Sequence, residues 1–202
     1  ISFPMRIHQN GAFYSVAIFV EQPDETYLER QGLDPNGALY KMTWNTVDSA
    51  TIGVDKKTRL HEDHSDLQAL VDGLQLQEPA RTAYLFDQVN VPEVINYLAT
   101  MTLLEDWTVL QHNYYLYRDS DGTGQWLVLP WDKDLTFGNV KQPDDPVYGH
   151  PFYGSSDYPA TYGSRQYWNR LTDAMYNTPL TREMYLRRLR SLMDQRLQPS
   201  ST

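Results

Sequence analysis

Two short apolar runs, Tyr114 to Tyr117 and Trp126 to Leu129, flank the segment Asp119-Ser120-Asp121-Gly122-Thr123-Gly124. A turn of that composition between two strand-like runs specifies an antiparallel hairpin. Any fold this chain adopts must therefore house a sheet in its middle third. A second hairpin signal, Asn10-Gly11, joins Met5 to His8 with Ala12 to Val20. Apolar residues occupy both alternating sets of Ala12 to Val20, which predicts a strand buried on both faces or nearly so. Leu39 to Trp44 reads as a further short strand, after the turn Asp34-Pro35-Asn36-Gly37.

Helical periodicity fills much of the remainder. Gln22 to Gly32 is polar with a short helical look. Residues 45 to 64 carry no pattern and read as a loop. Ser65 and Gln68 have capping-box spacing, followed by Leu67, Leu70, Val71 and Leu74 at helical intervals. Pro79 opens a short helix to about Phe86, and Pro92 sits in the first turn of another. That helix, with Val94, Ile95, Leu98, Met101 and Leu104 on one stripe, should end near Glu105 or Asp106. Residues 139 to 164 read as a long ordered loop. Two C-terminal helices are expected: one from Arg165 to Tyr176 with Trp168, Leu171 and Met175 inward, and one from Thr178-Pro179 with Leu186, Leu189, Met193 and Leu197 inward.

Composition bounds what the domain can do. A chain of 202 residues suffices for one generous domain, or a domain with an appendage. It buries about 70% of its unfolded surface without a disulfide or metal staple. Its 17 Lys+Arg against 26 Asp+Glu leave a net charge of −9. That balance speaks against nucleic-acid backbones and anionic membranes as partners. The lack of cysteine excludes disulfides, thiol catalysis and Cys-based metal sites. No apolar run reaches the roughly 18 residues of a spanning helix, so no membrane span is expected. No start Met or signal sequence is present, and Ile1 to Arg6 read as the middle of a segment, so a fragment or a processed chain is expected.

The densest chemistry lies between residues 106 and 138. Asp132 and Asp134 are two apart, and in extended chain such residues face the same way. With Asn113 at the start of the partner strand they form an oxygen-only donor set suited to Mg²⁺. Asp106 ends a helix, where a carboxylate gains nothing from the helix dipole. Turn and cap residues on a solvated edge would account for the same spacings. The order Asp106, Asn113, Asp132, then Phe137-Gly138 follows the order of parts in kinase-like phosphotransferases, namely base, metal Asn and metal Asp. The familiar His-Arg-Asp and Asp-Phe-Gly strings are absent. Asp119-Ser120-Asp121-Gly122 begins like a calcium loop but reaches Pro130 where that loop needs Glu, and a hairpin turn explains it better. His61 and His64 are three apart, and a polar loop explains them better than zinc.

The stretch His112-Asn113-Tyr114-Tyr115-Leu116-Tyr117, with Pro130-Trp131-Asp132-Lys133-Asp134-Leu135-Thr136-Phe137-Gly138, resembles the signature of the spore-coat CotH family of atypical protein kinases. Asn10-Gly11-Ala12-Phe13-Tyr14, Val20-Glu21-Gln22, Arg30-Gln31-Gly32-Leu33 and Leu39-Tyr40-Lys41 agree upstream. Arg170-Leu171 and Tyr185-Leu186-Arg187-Arg188-Leu189-Arg190 agree downstream. The chain departs from the family pattern in two places: the longer region that usually precedes the Asn-Gly strand is missing, and Glu105-Asp106-Trp107 stands where Asn-Asp and a small polar residue are commoner.

The resemblance implies an α+β, divergent protein-kinase-like fold. Residues 1–44 would be a partial β-rich N-terminal lobe, 45–198 a mainly helical lobe holding a metal-binding hairpin, and 199–202 a frayed tail. It implies ATP and Mg²⁺ (or Mn²⁺) as cofactors and a protein hydroxyl as phosphoryl acceptor. By position Asp106 would be catalytic, Asn113 and Asp132 would bind metal, Asp134 would be an accessory carboxylate, and Glu21 and Lys41 would belong to the nucleotide region. Secretion, a cell surface or a spore coat is the implied location. A non-catalytic surface or coat module on the same scaffold, binding protein through the aromatic stretch Tyr148 to Tyr167, is the alternative.

Overall fold

Asn10 and Gly11 both take positive φ, 51° and 81°, as a type I′ hairpin turn requires. In the computed structural model, which describes residues 1–106, 108, 112–137, 150–162 and 165–197, this turn joins β1 (Ser2–Gln9) to β2 (Ala12–Val20). The two strands pair antiparallel from Ser2–Val20 to Gln9–Ala12, with an irregularity between Ile7 and His8. The expectation that β2 is buried on both faces fails. Phe13, Tyr14, Val16 and Ile18 are exposed, because a two-stranded ribbon has no layer of its own to cover either side. Phe3 stacks on Phe19 at 4.9 Å, and this is local packing within the ribbon.

After α1 (Glu25–Arg30), β3 (Ala38–Met42) enters the main sheet. Its neighbours are β4 (Val54–Lys56), which lies inside the segment read as a loop, and the sequence-predicted hairpin β5 (Tyr114–Arg118) and β6 (Trp126–Pro130). The order is β4-β3-β5-β6, antiparallel throughout. A division after Trp44 would thus pass between the paired strands β3 and β4. The sheet buries both faces. Tyr40, Met42, Tyr114, Leu116 and Trp126 join the main core, while Leu39, Tyr115 and Tyr117 pack with Leu28 of α1.

Helices α2 (Ser65–Gly73), α3 (Ala80–Gln88) and α4 (Val91–Leu103) follow the predicted spacing. Leu67, Leu70, Val94, Ile95 and Leu98 are buried. The Ser65–Gln68 capping box does not form: Ser65 is the first helical residue, and its N–H is taken by Asp63 Oδ1 at 3.0 Å. Asn90 caps α4, its side chain accepting from Glu93 N–H at 3.3 Å.

The region from 139 to 164 is described only in part, and its described end holds β7 (Ala160–Tyr162), paired with β8 (Arg165–Tyr167). The first C-terminal helix therefore begins later than expected, as α5 (Arg170–Asn177), where Asn169 Oδ1 accepts from Leu171 and Thr172 N–H. In α6 (Pro179–Arg196) the inward residues are Tyr185, Leu189 and Leu192. Leu186, Met193 and Leu197 of the expected stripe are exposed. The helix is turned by the bond between the Tyr185 and Thr102 hydroxyls at 3.0 Å and by Arg188 Nε donating to Asn96 Oδ1 at 2.8 Å, both on α4. Among the described residues the chain is thus a mixed α/β fold with antiparallel sheets and six helices. No helix among them is long and apolar enough to cross a membrane.

Tyr114 ties three elements together. Its hydroxyl donates to Asn45 C=O at 2.7 Å and accepts from Asn169 Nδ2 at 3.1 Å. Tyr114→Phe removes both bonds inside the core, so it should lower stability by about 1–2 kcal/mol, read as a shifted urea midpoint with an unchanged slope.

Candidate functional site

Helix α4 ends in a Schellman motif. Glu105 N–H bonds to Thr102 C=O at 3.2 Å and Asp106 N–H to Met101 C=O at 3.1 Å, with Glu105 at φ 52° in the left-handed region. The residue placed just past such a helix end is usually apolar and turned inward. Here it is Asp106, with no exposed surface. A buried carboxylate requires paired charge and hydrogen bonds. Asp106 Oδ1 accepts from the N–H and hydroxyl of Thr108 at 2.6 and 2.8 Å. Lys133 Nζ lies 3.2 Å from Oδ2 and 3.4 Å from Thr108 Oγ1. Burial lowers the Lys133 ammonium below its ordinary pKa, and the Asp106 charge opposes that shift.

The segment that supplies Lys133 runs from the end of β6 back to the end of α4. Trp131 N–H bonds to Asn113 C=O at 3.2 Å, extending the β5–β6 pairing by one step. At the far end Phe137 N–H bonds to Leu104 C=O at 2.7 Å. Between these clamps Asp132 and Asp134 are exposed while Lys133 turns inward. Asp132 has φ 52°, so the strand alternation expected to turn the two acids the same way does not hold at this position. Asn113, at φ 64°, donates from Nδ2 to Asp132 C=O at 3.2 Å, which leaves its Oδ1 to accept. Glu105, Asn113, Asp132 and Phe137 are all non-glycine residues at positive φ. Backbone strain of this kind costs of order 1 kcal/mol or more per residue and gathers at functional sites.

The structure thus ties Asp106, through Lys133, and Asn113, through the Asp132 carbonyl, to the same short segment. Lys41 reaches that segment through Trp131, its ammonium 5.5 Å from the ring centroid. Glu21 lies outside it. Its carboxylate receives Arg30 Nε at 2.9 Å and closes the junction between β2 and α1. Trp107 and Gly138 fall outside the described residues. Among the described residues no three acidic or histidine groups are grouped to hold a metal. His64 is engaged by Ala50 C=O at 2.7 Å, in line with a loop role. Asp119 Oδ2 accepts from Thr123 N–H at 2.7 Å, as a hairpin-turn residue does.

Sequence reasoning missed the roles of Thr108, Lys133 and Tyr97. Lys133 was accessible through its place between two outward acids. Nothing in the sequence marks Tyr97. Its buried hydroxyl has no hydrogen-bond partner among the described residues. Burial pushes its pKa well up, and the nearby Asp106 charge adds to the effect.

The sequence model of the family described as "CotH kinase protein" matches residues 3–202. The chain belongs to that family. Over 145 residues it is 28% identical to the inner spore coat protein H of Bacillus subtilis (strain 168), an alignment covering 65% of this chain. The chain spans about 40% of that relative's length.

Two outcomes test the electrostatics. Lys133→Met strands the Asp106 carboxylate in the interior and should cost about 3–5 kcal/mol. The double variant Lys133→Met/Asp106→Asn should recover part of that loss in urea unfolding. The hydrogen-bonded Arg30 guanidinium holds the Glu21 carboxyl at about 2, below its ordinary 4.5. A carboxyl lowered on folding stabilises the native state above its unfolded value and loses that contribution as pH falls through its folded one. Glu21→Gln should therefore flatten the fall in thermal midpoint between pH 4.5 and 2 relative to the unaltered chain.

Proposed function

We propose that this chain carries the catalytic and metal-binding part of an ATP-dependent protein kinase of the CotH family, on a divergent kinase-like fold. One observation supports this above the others: Asp106, at the end of α4, is bonded to the same short segment that presents Asp132 beside Asn113. Base, metal Asn and metal Asp then occur in kinase order around one hairpin.

Asn113 Oδ1 and the carboxylates of Asp132 and Asp134 are the groups that would hold Mg²⁺. They are hard oxygen donors and too few for a closed protein cage. That fits a cation which keeps waters and takes phosphate oxygens as its other ligands. When bound, the metal neutralises charge on the transferring phosphoryl group. Asp106 takes the place of the base in the kinase order; its carboxylate, buried against Thr108 and Lys133, must be uncovered from that ion pair before it can orient an acceptor hydroxyl and take its proton. Lys41 adds positive charge beside Trp131, on the nucleotide side, and Glu21 fixes the junction of the N-terminal hairpin with the rest. The acceptor is a protein Ser or Thr hydroxyl. The coat location of the Bacillus relative suggests a spore-coat or surface setting for this chain as well.

A binding scaffold without catalysis is the second reading. It is favoured by Lys133 already neutralising Asp106 and by the lack of a three-acid cluster among the described residues.

Transfer of labelled phosphate from ATP to casein by the full-length protein, with Mg²⁺ or Mn²⁺, separates the two. Catalysis predicts transfer that Asp106→Asn lowers by roughly 10²–10⁴-fold and that Asp132→Ala abolishes. No transfer by the unaltered protein favours the scaffold. Transfer that survives both substitutions rejects the residue assignment.

A further inference from the structure

A groove of about 590 Å³ runs between α1, α4 and β6, outside the network described above. Its floor is a sheet edge, since β6 is the last strand in the order β4-β3-β5-β6. The direction of the main-chain groups along that edge follows from two bonds. Trp131 N–H points to β5, where it meets Asn113 C=O, and Trp126 C=O points the other way, where it accepts from Asn90 N–H at 2.8 Å. Successive residues of a strand alternate. Val128 therefore turns both its N–H and its C=O into the groove. Pro130 turns its C=O there and has no N–H to leave unpaired, as suits an edge position. Past the Asn90 bond, no backbone partner from the described residues covers this edge.

The walls match an extended chain. Leu127, Leu129, Tyr27 and Leu33 form an apolar side, and Gln31 and Asn96 offer amides. Glu93 is the one charged side chain in the lining; it is exposed and makes no ion pair among the described residues. It stands at the α4 N-terminal end, near Trp126, while the opposite end leads through Pro130 to Asp132. Leu127 to Pro130 spans about 10 Å at strand rise, room for a short added strand.

We infer that this groove docks an extended polypeptide segment of a partner protein by strand addition to β6. The segment carries apolar side chains at alternate positions and a basic residue opposite Glu93. Main-chain bonds to Val128 and Pro130 supply affinity, the leucine and tyrosine wall selects the alternate side chains, and Glu93 sets direction. The inference rests on the groove alone and goes beyond the proposed activity: docking is expected whether or not phosphate is transferred.

The probe is a fluorescein-labelled octapeptide, two arginines followed by alternating valine and serine, followed by anisotropy with the full-length protein. Saturable binding is expected, weakened about tenfold or more by Val128→Pro and by Glu93→Lys. Peptides N-methylated on one set of alternate amides should lose binding, while those methylated on the other set keep it, because an added strand pairs along one edge only. This arm uses unaltered protein, so it decides the matter even where Val128→Pro fails to fold. No binding up to about 1 mM, or equal tolerance of methylation in both sets, overturns the inference. So does a dimer that Val128→Pro converts to monomer in sedimentation, which would assign the edge to a second copy of this chain.

Discussion

Burial of one carboxylate organises the centre of this molecule. Asp106 occupies the position after a Schellman-terminated helix where an apolar side chain normally turns into the core. An acid with no exposed surface can stay ionised there only if charge and donors are brought to it. Thr108 brings the donors and Lys133 the charge. To deliver Lys133, the chain leaving β6 must return to α4, and the bond from Phe137 to Leu104 completes that return. The left-handed kinks at Asp132 and Phe137 lie within that short return segment.

The sheet makes this arrangement rigid. Strand β5 is central, paired on both sides and buried on both faces, and Asn113 just before it is bonded to the main chain of Trp131 and Asp132. Tyr114, the next residue, binds Asn45 and Asn169 and so joins the loop after β3 to the cap of α5. Strand β6, in contrast, is paired on one edge, and beyond Trp126 its other edge meets no strand among the described residues. The same strand thus ends in the candidate metal residues and lines the groove proposed for a partner segment.

Membership of the CotH kinase family rests on a match over nearly the whole chain, and the Bacillus relative is a spore coat protein. The proposed chemistry rests on geometry instead. Asp106, Asn113 and Asp132 were legible as candidates because their residue types and order follow a phosphotransferase pattern; in the structure Asn113 bonds to the Asp132 backbone carbonyl, and Asp106 pairs with the neighbouring Lys133. Glu21 shared the same resemblance and has a structural partner, Arg30, that no local pattern announces. Tyr97 shows the opposite failure. A tyrosine on the apolar stripe of a helix looks like core, and only the approach of Asp106 distinguishes it.

The hairpin β5–β6, the Asn-Gly ribbon and helices α2 to α4 were legible because turn chemistry and 3.6-residue periodicity act over a few residues. Strand β4 was not, since a three-residue strand has no period to read and exists only because β3 is beside it. The late start of α5 follows from a local hairpin, in which Tyr162 pairs with Arg165, whereas the rotated face of α6 is set by a distant contact, the bond between Thr102 and Tyr185. The same division holds for the opening hairpin. Its turn and pairing follow from Asn10-Gly11 and the flanking runs, but alternating apolar residues say only that a strand could be covered on both sides. Whether anything covers it is a property of the assembled layers, and here β2 stays exposed. The sequence by itself determined the two hairpins, helices α2 to α4 and the acids at their ends. Tertiary structure decided which acid is buried, which lysine answers its charge, and which sheet edge remains open, because each depends on groups far apart in the chain meeting in a medium of low polarity.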